Sequence, residues 1–447
     1  MSHGPAPMTG QEWYDANQRA SRSVPRLDLL FLVMIVIGAI GFALGWGSGR
    51  SLQSFWTNFL FWGGIAQAGV TWASIVYLVH GNWGGTLIRL GLLQVLFTPV
   101  TLLLFFVAII PMSPDIFPWA AEPIPGKAWW LNLPSFYMRD GAALMVLTIF
   151  NLNFAYWVLR PEAGALNEIG QTRFPAFLTR GWRGVDAERA RSRAVLTRMT
   201  PLHVLAYAVT YSLLAFDMLM SLEPHWFSTL FGGYYFITTL YIGTAVIILW
   251  SAFLRPRMGL ESSLTPKHFH DIGKLMLGFC ILSAYFGWSQ YIVIWYGDLY
   301  EETSYIHHRV GHPAVASAVD YSLMSGEGFR MARFLTPDWD FTGWIGLTRA
   351  VLILGFLLPF LILLVQRLKM IPSLLAAVAL LPLTAGFLER HWHVLPSLRG
   401  EFPDVIFGLP ELLIPFGFFG LYGLCVLVGL RRGVIVAAQW EWKPLCY

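Results

Sequence analysis

The stretch FDMLMSLEPHWFSTLFGG, Phe216 to Gly233, places an aspartate inside an apolar run and a glutamate and a histidine just beyond it. Asp217, Glu223 and His225 belong to the residue types that take up and release protons. An ionisable side chain at membrane depth costs at least ~2.5 kcal/mol, so such groups normally face a bundle interior and mark ion or proton routes. Asp217 is therefore the first candidate for proton exchange.

Asp217 shares one face of its predicted helix with other polar residues. At ~100° per residue, His203, Tyr207, Thr210 and Tyr211 fall on that face, and the set spans ~21 Å at 1.5 Å per residue. A stripe of this length could carry protons through side chains and bound water. Alternatively, its hydroxyl groups bond across helices and only hold the helices together.

A second polar stripe lies on a later predicted helix. Asp271, Lys274, Tyr285, Ser289 and Tyr296 share one face over ~37 Å. The stripe predicts a second proton route. A pairing between the aspartate and the lysine would explain the two charges equally well.

Further titratable residues are expected at the same membrane face as Asp217. They form a candidate polar cluster at the outer helix ends: Asp140, Arg349, Glu389 and His391. A quinol needs proton acceptors and hydrogen bonds at its headgroup, so the cluster and Asp217 would suit a quinol-oxidising protein. The sequence HWH, His391 to His393, supplies only two imidazoles at a helix end, and no metal site is expected there.

The elements that carry these residues are predicted to be transmembrane helices. Hydrophobic residues make up 56% of the 447 positions and charged residues 13%, which excludes an ordinary soluble domain. Ten apolar windows have about the 20 residues needed to cross ~30 Å of hydrocarbon. They are Asp28 to Trp46, Phe55 to Val79, Thr86 to Ile110, Gly141 to Leu159, Met199 to Leu222, Gly232 to Leu254, Asp271 to Tyr296, Trp344 to Leu364, Ile371 to Leu388 and Ile406 to Leu430. The expected fold class is an all-α polytopic membrane protein.

The distribution of basic residues predicts the orientation. With both termini on the cytoplasmic side, about two thirds of the 30 lysines and arginines fall on that side, in accord with the positive-inside rule. The run from Arg180 to Arg198 is then interpreted as an inner loop, with a surface helix near anionic lipid, rather than as a nucleic-acid site. Asp217 lies near the outer face in this orientation.

The hydropathy layout repeats along the chain. Helices two to five and helices six to nine each follow the same order of short inner connections and one long outer segment. Four crossings return the chain to its starting side, so the blocks predict two parallel four-helix bundles, 55–222 and 232–390, flanked by helices one and ten. The membrane domain is expected over 28–430, between a cytoplasmic N-terminal segment, 1–27, and a cytoplasmic tail, 431–447.

Motifs for redox cofactors are not found in the sequence. Cys280, Cys425 and Cys446 form no CxxC or CxxCH pattern, which argues against an iron–sulfur cluster or a covalent c-type haem. The histidines map to helix ends or loops, so a bis-histidine haem inside the membrane is not expected. We therefore expect no cofactor bound by this chain alone and no complete active site.

Two long stretches carry a resemblance to a known family: FDMLMSLEPHWFSTLFGGYYF and FHDIGKLMLGFCILSAYFGWSQYIVIWYGDLYEET. They resemble the second quinol-oxidoreductase-type membrane subunit of bacterial alternative complex III, within the broader NrfD or polysulfide-reductase membrane-subunit group. The resemblance covers most of the membrane region, but not the termini or the outer segment Ala314 to Asp340. It implies ten helices in two bundles with two flanking helices, in a bacterial inner membrane.

The resemblance also implies a complex that oxidises menaquinol or ubiquinol in a respiratory or photosynthetic chain. Haem c and iron–sulfur clusters would belong to partner subunits, namely an iron–sulfur protein and multihaem and monohaem cytochromes c. Quinol oxidation is attributed to a sister NrfD-like subunit, beside which this chain would dock. A proton pathway in this chain would use one or both stripes: His203, Tyr207, Tyr211 and Asp217, or Asp271, Lys274, Tyr285 and Ser289. A terminal oxidase is left open as a further partner.

Three other functions stay open at this point. The chain could be the quinol-oxidising anchor of a molybdenum or iron–sulfur oxidoreductase, which bound quinone in the isolated subunit would favour. A secondary transporter would also have parallel repeats, but its charges would lie near the midplane rather than at the mouths. A purely structural subunit would use every polar stripe for packing.

Overall fold

The chain folds as an almost entirely helical membrane protein. The computed structural model describes residues 10–81, 83–168, 176–313, 339–400, 403 and 406–432. Within these ranges nine helices are long and apolar enough to span a membrane, and a tenth apolar helix has 17 residues. The predicted all-α polytopic fold of about ten transmembrane helices is confirmed.

Twelve helices and two short strands are numbered here in chain order. They are α1 (Gly10–Arg22), α2 (Asp28–Leu44), α3 (Arg50–Leu78), α4 (Gly85–Ile116), α5 (Leu133–Glu168), α6 (Val185–Met218), α7 (Leu230–Arg257), α8 (Pro266–Gly297), α9 (Tyr300–Val310), β1 (Gly311–Pro313), β2 (Trp339–Phe341), α10 (Ile345–Leu364), α11 (Pro372–Arg399) and α12 (Leu409–Arg432). The predicted spans one to ten correspond to α2 to α8 and α10 to α12. The strands form one antiparallel ladder, with Gly311 opposite Phe341.

Two four-helix bundles form the body of the protein. Helices α3 to α6 pack together, as do α7, α8, α10 and α11. The first helices of the two bundles, α3 and α7, pack against each other at the centre, and α6 contacts α7 just as α11 contacts α3. An approximate two-fold axis along the membrane normal would interchange the two bundles, so that α3 takes the place of α7 and α6 that of α11. The observed contacts fit such an axis, as expected for parallel repeats.

Small residues allow the two central helices to approach closely. A Cβ atom on Gly243 of α7 would lie 2.8 Å from the Cβ of Ala68 on α3, and one on Gly64 would lie 2.9 Å from the Thr239 methyl group. Both distances are shorter than an ordinary van der Waals contact, so a larger residue than glycine would push the two helices apart. In a membrane, where lipid is as apolar as leucine, close backbone packing of this kind drives helix association.

The first and last membrane helices, α2 and α12, pair with each other beside the bundles. A Cβ atom on Gly38 would lie 2.4 Å from the Cα of Gly417, so the two backbones touch at this point. Near the other end of the pair, Arg431 donates two hydrogen bonds of 2.6 Å to the carboxylate of Asp28. The two ends of the membrane domain are thereby joined.

Two helices depart from regular α geometry within the membrane. Helix α4 contains a 3₁₀ segment, Leu93–Phe97, and a π segment, Phe105–Ile109, while α10 contains a π segment, Ile353–Leu357. Proline lacks an N–H and clashes with the carbonyl four residues earlier, so Pro99 and Pro359 explain irregular hydrogen bonding in the preceding turns.

One expectation about the polar segments beside the membrane helices needs correction. The Arg-rich run was expected to form an inner loop with a surface helix, but from Val185 onward it is continuous with the membrane helix α6, which is 34 residues long. The N-terminal segment contains α1, an amphipathic helix whose Trp13, Asn17 and Ala20 are buried. Hydrophobic windows detect only the apolar part of a helix, so they detected neither the polar first turns of α6 nor the separate helix α1.

Candidate functional site

Asp217 lies in the last turn of α6, where it is 2% exposed. Its Oδ1 accepts a 2.8 Å hydrogen bond from the indole of Trp130, and its Oδ2 accepts one of 2.6 Å from Nε of Arg139. The Arg139 guanidinium lies 3.9 Å from the Trp130 ring and donates a 2.8 Å hydrogen bond to Ser135. Asp217 is therefore held in an ion pair that spans α6, α5 and the outer α4–α5 connection.

Asp140 lies beside this ion pair on α5 and is fully buried. The distance from its Oδ2 to Nε of Arg139 is 4.0 Å, and neither of its carboxyl oxygens has a hydrogen-bond partner in the described part of the chain. Its carboxyl group adjoins that of Asp217. One guanidinium thus lies beside two carboxyl groups, which we call the outer carboxyl pair after the orientation expected from the basic residues. Binding of one proton would remove the uncompensated negative charge.

A line of polar side chains extends from the outer carboxyl pair between α5 and α6. On α6 these residues recur every seven positions, as His203, Thr210 and Asp217, and on α5 they are Asp140, Thr148 and Asn151. All six are at least 97% buried. We call this set the α5–α6 seam, and it covers ~21 Å along α6.

The inner part of the seam is a hydrogen-bonded chain. His203 Nε2 lies 2.8 Å from Asn151 Oδ1, and Asn151 Nδ2 donates to Gln67 of α3. An amide oxygen only accepts, so with this amide orientation Nε2 of His203 carries the proton. Nδ1 of His203 is buried and has no hydrogen-bond partner among the described residues, which leaves its lone pair available to accept a proton.

Tyr207 and Tyr211 are buried but do not belong to the seam. The Tyr207 hydroxyl donates a 3.1 Å hydrogen bond to the Phe236 carbonyl of α7, and the two tyrosine rings stack with centroids 4.6 Å apart. Tyr211 also stacks on Tyr235 of α7 at 5.9 Å. The expectation of one continuous stripe from His203 through the tyrosines to Asp217 is therefore wrong. Six residues turn a helix through ~600°, which leaves Tyr211 and Asp217 ~120° apart around the α6 axis, so the two side chains face different neighbours.

The tyrosines lead instead to a second buried ionic group, around Arg390 of α11. Arg390 is fully buried and donates hydrogen bonds of 2.6 Å to Glu389 and 2.9 Å to the Thr239 hydroxyl. Its guanidinium lies 4.4 Å from the Tyr235 ring centroid. The two buried ionic groups thus occupy corresponding positions in the two bundles, in the C-terminal parts of α6 and α11.

The histidines of α11 are interior residues, contrary to the expectation of an exposed helix end. Nδ1 of His391 lies 2.9 Å from the Phe387 carbonyl, and its Nε2 lies 3.2 Å from the Thr57 hydroxyl. His393 Nδ1 lies 2.8 Å from the Tyr305 hydroxyl. Helix α11 continues to Arg399, so both imidazoles have packed neighbours. Within the described ranges, no group of three or more potential ligands could hold a metal ion.

Glu223, just beyond α6, joins three outer elements. Its Oε1 accepts hydrogen bonds of 2.7 Å from Arg309 of α9 and 2.6 Å from the Ser397 hydroxyl of α11. Burial alone would raise the pKa of the Glu223 carboxyl, but Arg309, His308 and Ser397 outweigh burial and lower this pKa to about 2. The Glu223 carboxylate is thus ionised and links these elements through its hydrogen bonds. It does not have the properties of a site that exchanges protons.

The four residues of the predicted outer polar cluster lie in separate surroundings. Asp140 adjoins Asp217, Glu389 pairs with Arg390, and His391 contacts Thr57. Arg349 is exposed, and its guanidinium lies 5.3 Å from the Phe341 ring. The expectation that they form one headgroup site is therefore not met. Side chains at equal membrane depth can still point in different directions around their helices.

The polar stripe of α8 faces away from the bundle interior. Tyr285 is 61% exposed and Tyr296 85% exposed, and Ser289 is half-buried. Lys274 Nζ lies 2.8 Å from Asp271 Oδ1, which is the intrahelical pairing considered as the alternative. The expectation of an interior route along α8 is wrong within this chain, because α8 packs chiefly through its opposite face.

The functional residues missed by sequence reasoning are the partners of the acids. Arg139 and Arg390 were not singled out as partners of the acids, although each directly precedes or follows an acid in sequence. Asn151 carried a signal, since it is an amide within the apolar run LTIFNLNFAYW. The sequence did not indicate which neighbouring helix each of these three side chains would contact.

The outer carboxyl pair lies close to the protein surface. A depression of ≈540 Å³ is lined by Pro134, Ser135, Met138 and Arg139. Arg139, the cation of the pair, therefore contacts both this depression and the buried Asp217 carboxylate.

A scan of the chain against models of protein families finds no matching model, and a search among curated proteins finds no match.

Proposed function

We propose that the chain is a membrane subunit of a quinol-oxidising electron-transport complex of the alternative complex III type, and that it provides a proton pathway. In this proposal it docks beside a sister subunit that oxidises menaquinol or ubiquinol, in a bacterial inner membrane with both termini cytoplasmic. Haem c and iron–sulfur clusters reside in the partner subunits. The resemblance in sequence supports the complex, and the α5–α6 seam supports the pathway.

The observation that carries the proton pathway is the outer carboxyl pair with its single cation. Asp217 is fixed by Arg139 and Trp130, whereas Asp140 has no hydrogen-bond partner in the described structure. A site with one more carboxylate than cations gains from binding a proton, and it can lose that proton when the neighbouring charge changes. The pair therefore has the composition of a proton-exchange site.

His203 is the second proton-exchanging group on this route. Its two ring nitrogens face different surroundings, with Nε2 toward Asn151 and Nδ1 without a partner in the described chain. An imidazole can accept a proton on one nitrogen and release one from the other. Thr148 and Thr210 lie between His203 and the carboxyl pair and can hydrogen-bond to water that bridges the distance.

The quinol-oxidising anchor is less well supported by the geometry. A headgroup site needs hydrogen-bonding residues that converge on one space. Asp140, Glu389 and His391 instead contact different helices, and Arg349 is exposed.

The test uses Asp217→Asn in the assembled complex, with Asp115→Asn as the control. Asp115 is an exposed carboxylate near the outer end of α4, so its substitution removes the same charge outside the seam. We expect Asp217→Asn to lower the number of protons released per quinol oxidised, while Asp115→Asn leaves it unchanged. Subunit and haem content establish that both variants assemble. Unchanged proton yield and rate in an assembled Asp217→Asn complex would overturn the proposal. If this variant does not assemble, Asp140→Asn takes its place.

A further inference from the structure

A groove lies between α5 and α6 at their arginine-rich ends, far from the outer carboxyl pair. It has a volume of ≈350 Å³, is open to the surroundings, and is lined by Asn153 and Trp157 of α5 and by Val195, Arg198, Met199 and Leu202 of α6. Most of this lining is apolar. The groove therefore combines a hydrocarbon-like floor with a cation at one end.

The charge around the groove has one sign. Residues 189–202 of α6 include four arginines and no carboxylate, and residues 149–160 of α5 include no carboxylate either. The nearest acid along α6, Glu188, is engaged by Arg160 at 2.7 Å. Arg198 is exposed and makes no ion pair with any described residue. Arg198 thus presents positive charge that pairs with no described residue, while the nearby Arg191 also interacts with the Glu188 carboxylate.

A second cation and an aromatic ring extend the same surface. The Arg191 guanidinium lies 5.1 Å from the ring of Trp157. Arg191, Arg198 and Leu202 follow each other along one side of α6 over ~16 Å. The surface changes in this direction from cationic to apolar, and Leu202 at the apolar end is 55% exposed.

We propose that this groove binds an anionic phospholipid. Arg198 and Arg191 hold the phosphate headgroup, the Trp157 indole lies at the level of the glycerol backbone, and Val195, Met199 and Leu202 contact an acyl chain. Basic pockets between membrane helices bind anionic headgroups in this way, and tryptophan is enriched at the membrane interface. A free phosphate ion would use the arginines but would leave the apolar floor uncovered.

The experiment measures lipid binding by the purified, delipidated full chain in detergent, using native mass spectrometry. The probes are dioleoylphosphatidylglycerol and, as the neutral reference, dioleoylphosphatidylcholine. We expect Arg198→Gln to weaken phosphatidylglycerol binding about fivefold, since one basic residue near a membrane contributes about 1 kcal/mol. The matched control is Arg193→Gln, which removes the same charge from the same helix but ~140° away from Arg198. It should change the affinity by less than twofold.

Three results would overturn the proposal: equal weakening by both substitutions, no weakening by Arg198→Gln, or full displacement of the lipid by equimolar inorganic phosphate. Should Arg198→Gln fail to fold, Leu202→Trp tests the apolar floor, because its exposed position accepts a larger side chain. Loss of phosphatidylglycerol binding in Leu202→Trp supports the lipid site, and unchanged binding refutes it.

Discussion

Arg139 Nε lies 2.6 Å from Asp217 Oδ2, and this contact explains why an apolar helix retains an aspartate. The cation comes from α5, 78 residues earlier in the chain, so the aspartate has no charge partner in its own helix. Burial of a carboxylate that is paired with a cation and hydrogen-bonded costs much less free energy than burial of an isolated carboxylate. The same guanidinium also faces Asp140, and this shared cation is the basis of the first two predictions.

Arg139→Gln should strongly destabilise the protein. Removal of one partner of a buried ion pair leaves an uncompensated charge, and we expect a loss of about 3–5 kcal/mol in the free energy of unfolding. Denaturant unfolding in detergent measures it. Asp217→Asn in the Arg139→Gln background should restore part of the loss, and a double variant no more stable than Arg139→Gln alone would contradict the pairing.

Asp140→Asn should be tolerated much better. The substitution removes one of two negative charges that face a single guanidinium, and the replaced carboxyl group makes no hydrogen bond within the described chain. We expect the free energy of unfolding to stay within about 1 kcal/mol of the wild-type value or to rise. Unfolding of wild type and variant under identical conditions provides the comparison; a loss as large as that of Arg139→Gln would show that Asp140 is the paired acid.

Glu223 should make stability depend on pH in acid. Its pKa is lowered from 4.5 to about 2 by Arg309, His308 and Ser397 against the opposing effect of burial. A depressed folded-state pKa stabilises the fold above the unfolded-state value, and this contribution, about 3 kcal/mol, is lost as pH falls from 4.5 to 2. The stability difference between wild type and Glu223→Gln should therefore shrink in that window. A constant difference from pH 6 to pH 2 would exclude the assignment.

Tyr305 on α9 and Tyr285 on the membrane helix α8 should respond differently to loss of the hydroxyl group. Tyr305 is 7% exposed and hydrogen-bonds His393 at 2.8 Å, whereas Tyr285 is 61% exposed. We expect Tyr305→Phe to cost about 1–3 kcal/mol, because it leaves a buried imidazole nitrogen without its partner. Tyr285→Phe should change stability by less than about 0.5 kcal/mol. Equal effects in thermal unfolding would show that α8 is covered along this face.

The contact between α2 and α12 predicts an effect of a single methyl group. Gly38→Ala would place its Cβ 2.4 Å from the Gly417 backbone, and the required shift should cost about 1–3 kcal/mol. Gly47→Ala is the control, since a Cβ there meets nothing within 4 Å. Melting temperatures of the two variants provide the measurement. A neutral Gly38→Ala would mean that the two helices separate without cost.

The sequence predicted the membrane helices well because the signal is local. About 20 apolar residues must form a helix in lipid, where every backbone N–H and C=O needs a partner within the segment. The repeat of loop lengths likewise predicted the two bundles. The 17-residue helix α2 and the irregular helix α4 were recognised by the same hydropathy, independent of their detailed geometry.

The site was predicted less completely, because it depends on direction around each helix. Asp217 and His203 were singled out from the sequence and are buried in the structure, but their partners Arg139 and Asn151 lie on another helix. Tyr285 shares one face of α8 with other polar residues, yet that face points away from the rest of the chain. The periodicity of polar residues identifies which residues share a helix face. It does not indicate whether that face contacts another helix or the surroundings.

The pairing of α2 with α12 also has a consequence for biosynthesis. The first membrane helix leaves the ribosome long before its partner has been translated, so the Gly38 surface must remain against lipid, or against an insertion factor, while the intervening bundles assemble. Docking of α12 then completes the membrane domain as a late step. Nascent chains that stop before residue 409 would lack α12. They would expose the uncovered Gly38 surface of α2 to quality-control proteases.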